Sequence, residues 1–159
     1  VPKQSAVDRA ALAAAAFGGA ADAVDEAAAA HLGINRTDLR LLGIVQLEGP
    51  RSAGQLSIAA GLSPAATTEA VQRLVGRGYL AREVDPGDRR RALITMGPDV
   101  TGVLEQIYGP VAQEGAKMLR EYTDEELALI TAFLERGRTF QEEQAARIRR
   151  QIAESAAPS

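Results

Sequence analysis

Across residues 5–30, Val7, Ala10, Ala14, Phe17, Ala21, Val24 and Ala28 recur at spacings of 3, 4, 3, 4, 3 and 4. That spacing is one face of a helix, and alanine, the best helix former, fills most other positions. A stripe of small residues also lets another helix approach closely. Gly18-Gly19 weakens the middle by about 1 kcal/mol per glycine relative to alanine. Gly33 sits where a C-terminal cap belongs, and Asn35 reads as the N-cap of a second helix, Arg36 to Leu47, with Asp38 in its first turn. Leu39, Leu42, Val45 and Leu47, widened by Leu41 and Ile44, make this helix apolar on so many sides that burial is expected. Glu48-Gly49-Pro50 ends it.

Ser52-x-x-Gln55 fits a capping box and opens a short third helix with Leu56, Ile58 and Ala59 as its apolar face. Gly61 closes it, Leu62 fills the turn, and Ser63-Pro64 restarts the chain as N-cap and first helical residue. The fourth helix runs from Pro64 to about Arg77, with Thr67, Ala70, Val71, Leu74 and Val75 inward and Gly78 ending it. Tyr79 to Val84 and Arg91 to Met96 read as two strands around the turn signal Asp85-Pro86-Gly87-Asp88. A long helix follows from Gly97-Pro98-Asp99 to about Glu121, with a kink expected at Gly109-Pro110. Thr123-x-x-Glu126 is a second capping box and opens a last helix to about Ile152, after which Ala156–Ser159 should fray.

Helix, short helix, tight turn, helix and basic hairpin are the layout of a winged helix-turn-helix. In that layout the fourth helix (residues 63–77) enters the major groove, and the wing (84–92) lies along the backbone or in a minor groove. Ser63, Pro64, Ala65 and Thr68 are small enough to let the helix end approach a duplex, where free N–H groups and the helix dipole suit a phosphate. The outward face continues through Glu69, Gln72, Arg73 and Gly76. Gln72 is suited to adenine and the Thr68 methyl to thymine. Ser52, at the start of the third helix, joins this set of candidate contacts.

Charge and composition sharpen this picture. Between residues 63 and 91 six arginines face four acids, a net +2, whereas the whole chain is −3. Steering depends on the face presented, so an acidic protein with a locally positive face remains a candidate DNA reader. Arg89-Arg90-Arg91 is the densest basic cluster, and a guanidinium on a narrow wing is able to reach a narrowed minor groove. The competing reading is that these arginines solvate the turn and pair with Asp85 and Asp88. Aromatics are only 4% of the chain, which argues against a single-strand stacking platform.

The chain has no Cys, one His and no Gly-rich phosphate loop, so thiol, Cys-zinc and multi-histidine chemistry is missing. Neither Lys3 nor Lys117 sits near a plausible nucleophile. No enzyme, no metal and no cofactor is expected. The longest apolar stretch, around Ala27–Leu32, is far short of the roughly 20 residues that span a bilayer. Lys3, Asp8 and Arg9 ahead of an Ala-rich stretch broken by Asp22 and Asp25 do not make a secretory signal, so a cytoplasmic protein without membrane association is expected.

The segments Leu56–Leu62 (LSIAAGL), Ser63-Pro64, Arg73–Leu80 (RLVGRGYL) and above all Asp85–Met96 (DPGDRRRALITM) resemble the MarR family of multiple-antibiotic-resistance regulators. The resemblance extends from about Ala6 to Arg150. It implies a mainly α fold of six helices with a small two-stranded β wing, and a homodimer formed through the first, fifth and sixth helices. It also implies a pseudo-palindromic double-stranded DNA operator and, in many members, release by a small aromatic acid or phenolic effector. In the family's wing an Asp-x-Arg places its arginine in the minor groove while the aspartate orients it. That pattern falls here on Asp88 and Arg90, with Arg89 and Arg91 beside them.

Three departures stand out. Glu69 replaces a residue that is often basic, which weakens phosphate attraction but offers an acceptor to cytosine. Gly97 stands where the family often has a Thr cap. Without Cys the chain is not one of the family's thiol-based peroxide sensors.

The expected organisation is therefore one domain, 1–159, with residues 5–32 and 98–152 as dimerisation helices and 35–96 as the DNA-binding lobe. The dimer also follows from the apolar surplus: the terminal helices carry more apolar residues than a core around 35–96 has use for. An effector site is expected where helices one, two and five meet, with His31, Arg40 and Tyr108 as candidate lining groups. The leading reading is a homodimeric, ligand-responsive transcriptional repressor. The alternative is a winged-helix protein-interaction module that does not bind DNA.

Overall fold

The computed structural model describes residues 3–156. Residues 157–159, part of the tail expected to fray, lie outside the described residues. In chain order the elements are α1 (Lys3–Leu32), α2 (Arg36–Glu48), α3 (Ala53–Ala60), α4 (Pro64–Gly76), β1 (Leu80–Asp85), β2 (Asp88–Met96), α5 (Val100–Leu119) and α6 (Asp124–Ala156). The chain divides into two compact units, Val1–Glu105 and Gln106–Ser159, with the boundary inside α5.

The first unit is built around α2, which packs against α1, α3, α4 and β2. Leu39, Leu41, Leu42 and Val45 are buried, as the apolar breadth of this helix predicts. Leu56, Val71, Leu74, Leu80, Val100 and Leu104 complete the core. Asn35 caps α2 by accepting from the Asp38 N–H at 2.8 Å. Of α1, only Ala28, Ala29 and Leu32 are buried, so the C-terminal turn alone docks in this core.

Two apolar assignments are corrected. Leu47 is 86% exposed, because it lies in the last turn of α2, on the side away from Leu41, Leu42 and Val45. Ile58 is 83% exposed and Ala59 is exposed; α3 instead buries Leu56, Ser57 and Ala60. A serine is tolerated inside because its hydroxyl donates to the Leu62 carbonyl at 2.7 Å, leaving no unsatisfied donor.

β1 and β2 pair antiparallel from Leu80↔Met96 to Val84↔Ala92. A third piece joins the sheet outside the two strands: Arg51 bridges Ile94, with Arg51 N–H to the Ile94 carbonyl at 3.1 Å and Ile94 N–H to the Arg51 carbonyl at 2.7 Å. The link between α2 and α3 is thereby stitched to the base of the hairpin. Gly97 is not a helix cap, since α5 starts at Val100. Its N–H donates to the Tyr79 carbonyl, and a Cβ there would collide with the Gly78 carbonyl. Glycine is required at this point by the close approach of two backbones.

In the second unit α5 continues as helix through Pro110 to Leu119. α6 opens with the expected capping box, Thr123 N–H to Glu126 Oε2 at 2.9 Å and Glu126 N–H to Thr123 Oγ1 at 3.3 Å. Leu129, Phe133, Leu134, Phe140, Ile148 and Ile152 are all exposed along α6.

Candidate nucleic-acid interface

The turn between α3 and α4 is fixed by local chemistry. Gly61 adopts the left-handed conformation (φ 63°, ψ 38°) that ends α3, a region that favours glycine. Ser63 caps α4 by accepting from the Ala66 N–H at 3.2 Å, and Pro64 supplies a pre-set first helical residue. Ser52 forms the complete capping box of α3 with Gln55. Thr67, Ala70, Val71 and Leu74 anchor α4 from within, and Val75 is half-buried. The opposite face, Ala65, Thr68, Glu69, Gln72 and Gly76, is exposed.

Arg73 lies on this side but its guanidinium is engaged. Nη2 donates to Asp38 Oδ1 at 2.8 Å and Nε to Oδ2 at 3.2 Å, a two-pronged contact with a carboxylate that is only 4% exposed. This hydrogen bonding with Asp38 raises the Arg73 pKa above its ordinary value. Arg73, one of the candidate DNA contacts, thus also holds α4 on α2, while its side chain stays 47% exposed. At the end of α4, Arg77 Nη1 (3.3 Å) and the Tyr79 hydroxyl (3.2 Å) both donate to the Leu32 carbonyl at the C-terminus of α1. Neither link shows in local periodicity, because the partners lie 35 to 47 residues apart.

The wing projects from the core. Ile94 and Thr95 are buried at its base, and residues 82–84 and 86–92 are exposed. Register passes from Val84↔Ala92 directly to Asp85↔Asp88, so Arg89, Arg90 and Arg91 have no partners across the ladder. An irregularity of this kind turns side chains out of the pleated surface. Asp85 accepts from the Gly87 N–H at 2.8 Å and Asp88 from the Arg90 N–H at 3.0 Å. Both carboxylates shape the turn through the backbone, and among the described residues Arg89–Arg91 form no ion pair with them. Asp88 therefore acts on the main chain of Arg90 rather than on its guanidinium.

A family model described as "MarR family" matches residues 32–91, which span α2, α3, α4 and most of the wing. An uncharacterized HTH-type transcriptional regulator of Bacillus subtilis, YcgE, is 38% identical over 124 residues, 78% of this chain and 80% of that protein. The chain belongs to the MarR family of transcriptional regulators. Solved structures of similar fold include RV1404 from Mycobacterium tuberculosis (TM-score 0.62, 25% identity, covering 86% of this chain and 95% of that one). Another is apo wild-type MarR from E. coli (TM-score 0.55, 18% identity, 86% and 96% covered). This MarR-family chain thus combines the DNA-binding winged-helix fold with an α4 whose Arg73 and Arg77 both bond groups of the fold and a wing whose Arg89–Arg91 form no ion pair among the described residues.

The residues expected to line an effector site fall in different units. His31 and Arg40 are exposed residues of the first, and Tyr108 is half-buried in the second. Among the described residues no helix is long and apolar enough to cross a membrane, and no acidic, His or Cys cluster has the makings of a metal site.

Proposed function

We propose that this MarR-family regulator is a homodimeric repressor that reads a pseudo-palindromic operator and releases it on binding a small aromatic or phenolic effector. In this reading α4 enters the major groove through Ser63, Pro64, Ala65, Thr68, Glu69 and Gln72. Ser52 meets the backbone, and Arg89–Arg91, with Arg90 foremost, meet the minor groove and its phosphates. The observation that carries the reading is the wing, where three adjacent exposed arginines have guanidinium groups that form no ion pair among the described residues, beside an exposed polar helix face. Unpaired, exposed cations are ready to displace counterions from a duplex, which makes binding salt-dependent.

Dimerisation is supported by the bare apolar side chains of the terminal helices: Val7, Leu12, Phe17 and Val24 on α1, and Leu129, Phe133 and Phe140 on α6. Rows of this kind are rarely left to water. Two copies place two reading helices on half-sites about one DNA turn apart, roughly 34 Å. An effector acts only by its different affinity for DNA-competent and DNA-incompetent states.

Fluorescence anisotropy with genomic fragments, including the protein's own promoter, over a range of salt concentrations tests the proposal. Tight binding to one fragment that weakens steeply with salt is the expected result, followed by release when aromatic carboxylates or phenols are titrated in. A folded dimer that binds no fragment at any salt would make it a protein-interaction module instead.

A further inference from the structure

On and beside the exposed face of α4, part of the donor capacity is engaged within the fold. Arg73 is held by Asp38, and Arg77 donates to the Leu32 carbonyl. The Thr68 hydroxyl donates to the Pro64 carbonyl at 2.9 Å, so only its lone pairs face outward. The side chains of Glu69 and Gln72 are exposed and hydrogen-bond to no protein group among the described residues. They lie three residues apart on a helix and so share one face. An ionised carboxylate accepts only, whereas a carboxamide both donates and accepts.

In the major groove only cytosine, through its N4 amine, and adenine, through its N6 amine, present donors; guanine and thymine present acceptors. Guanine is commonly read by an arginine or lysine, whereas Glu69 itself carries no donor, and Arg73, one turn on, is oriented by its two bonds to Asp38. A carboxylate set against a guanine or thymine edge leaves acceptor facing acceptor in a partly dehydrated groove, which penalises the wrong base. We infer that Glu69 is a specificity-determining residue that selects cytosine at one base pair of the operator, with Gln72 reading adenine nearby. Attraction to the backbone is then supplied mainly by the wing. This inference rests on the operator-reading function proposed above.

The test selects a randomised duplex library with the full-length protein and with Glu69→Gln and Glu69→Ala. Because Glu69 is exposed and makes no hydrogen bond, both variants should fold, which circular dichroism verifies. The wild-type motif should contain a cytosine whose enrichment disappears with Glu69→Ala and turns toward adenine with Glu69→Gln, the rest of the motif being unchanged. On the wild-type motif, replacing that cytosine by thymine should weaken the wild type about tenfold and leave Glu69→Ala indifferent. Both variants should also bind random-sequence DNA more tightly, since one negative charge facing phosphates is gone. A wild-type motif that all three proteins select identically overturns the role of Glu69 alone. So does a Glu69-dependent base pair that is A·T in the wild-type motif. The absence of any enriched motif with the wild type overturns the operator-reading function, and the inference with it.

Discussion

Arg73 and Arg90 lie seventeen residues apart in one basic stretch and are held in opposite ways. Arg90 projects from the wing, its backbone N–H fixed by Asp88 and its guanidinium in no ion pair among the described residues. Arg90→Ala should weaken operator binding about tenfold or more while the melting temperature stays within a degree or so, since nothing in the fold depends on that head group. Anisotropy and a thermal melt on the same sample separate the two effects. Arg73 is the reverse case. Removing it leaves the Asp38 carboxylate buried without its partner, a costly state. Arg73→Ala should therefore lower the melting temperature, and Arg73→Lys should rescue only part of the loss because an ammonium does not reproduce the two-pronged contact. An Asp38/Arg73 double-mutant cycle by thermal melt should show coupling between the two. Because the arginine pKa is raised in the folded state, its contribution, given an ionised Asp38, is fully present at pH values up to the ordinary arginine value. It is lost only as pH climbs through the folded value, far above the working range.

At the scale of elements, the reading helix and the wing are placed by three small devices. Gly61 and the buried Ser57 hydroxyl set the turn into α4, and the Arg51–Ile94 bridge ties the wing to the start of α3. The close pass of Gly97 against Gly78 and Tyr79 seals the base of the hairpin. A methyl at Gly97 forces two backbones apart. Gly97→Ala should accordingly cost about 1–3 kcal/mol, seen as a lower urea midpoint at unchanged slope. It should also weaken DNA binding through a displaced wing. Ser63→Ala removes only a cap and should cost about 1 kcal/mol by the same measurement. The exposure of Ile58 and Leu47 belongs at this scale too: Ile58 lies on the opposite side of α3 from the buried Leu56 and Ala60, and Leu47 on the side of α2 away from Leu42 and Val45.

For the whole molecule the open quantity is the apolar surface of the terminal helices. Phe133 is 59% exposed on α6, amid Leu129, Leu134 and Phe140. Phe133→Glu should convert the dimer to monomer in analytical ultracentrifugation and abolish high-affinity operator binding, because a single reading helix reaches only one half-site. A monomeric wild type, or a Phe133→Glu variant that remains dimeric and binds normally, would contradict the assembly proposed above.

Local order was legible throughout. Alanine content and 3–4 spacing marked α1, Asn35, Ser52, Ser63 and Thr123 marked helix starts, and Pro86-Gly87 marked the hairpin turn, because each acts through groups within about four residues of itself. The residues DPGDRRRALITM pointed to a MarR wing for the same reason: the turn is built from its own neighbours. What the chain's order did not disclose were the pairings across the fold. Arg73 bonds Asp38, 35 residues away; Gly97 was read as a cap and is a spacer against Gly78; Arg51, between the end of α2 and the Ser52 cap, completes the sheet. Periodicity reports which face of a helix is apolar, but an arginine on the polar face is equally suited to a phosphate or to a buried carboxylate. Only folding brings the carboxylate within 2.8 Å, and chain order alone does not disclose that partner.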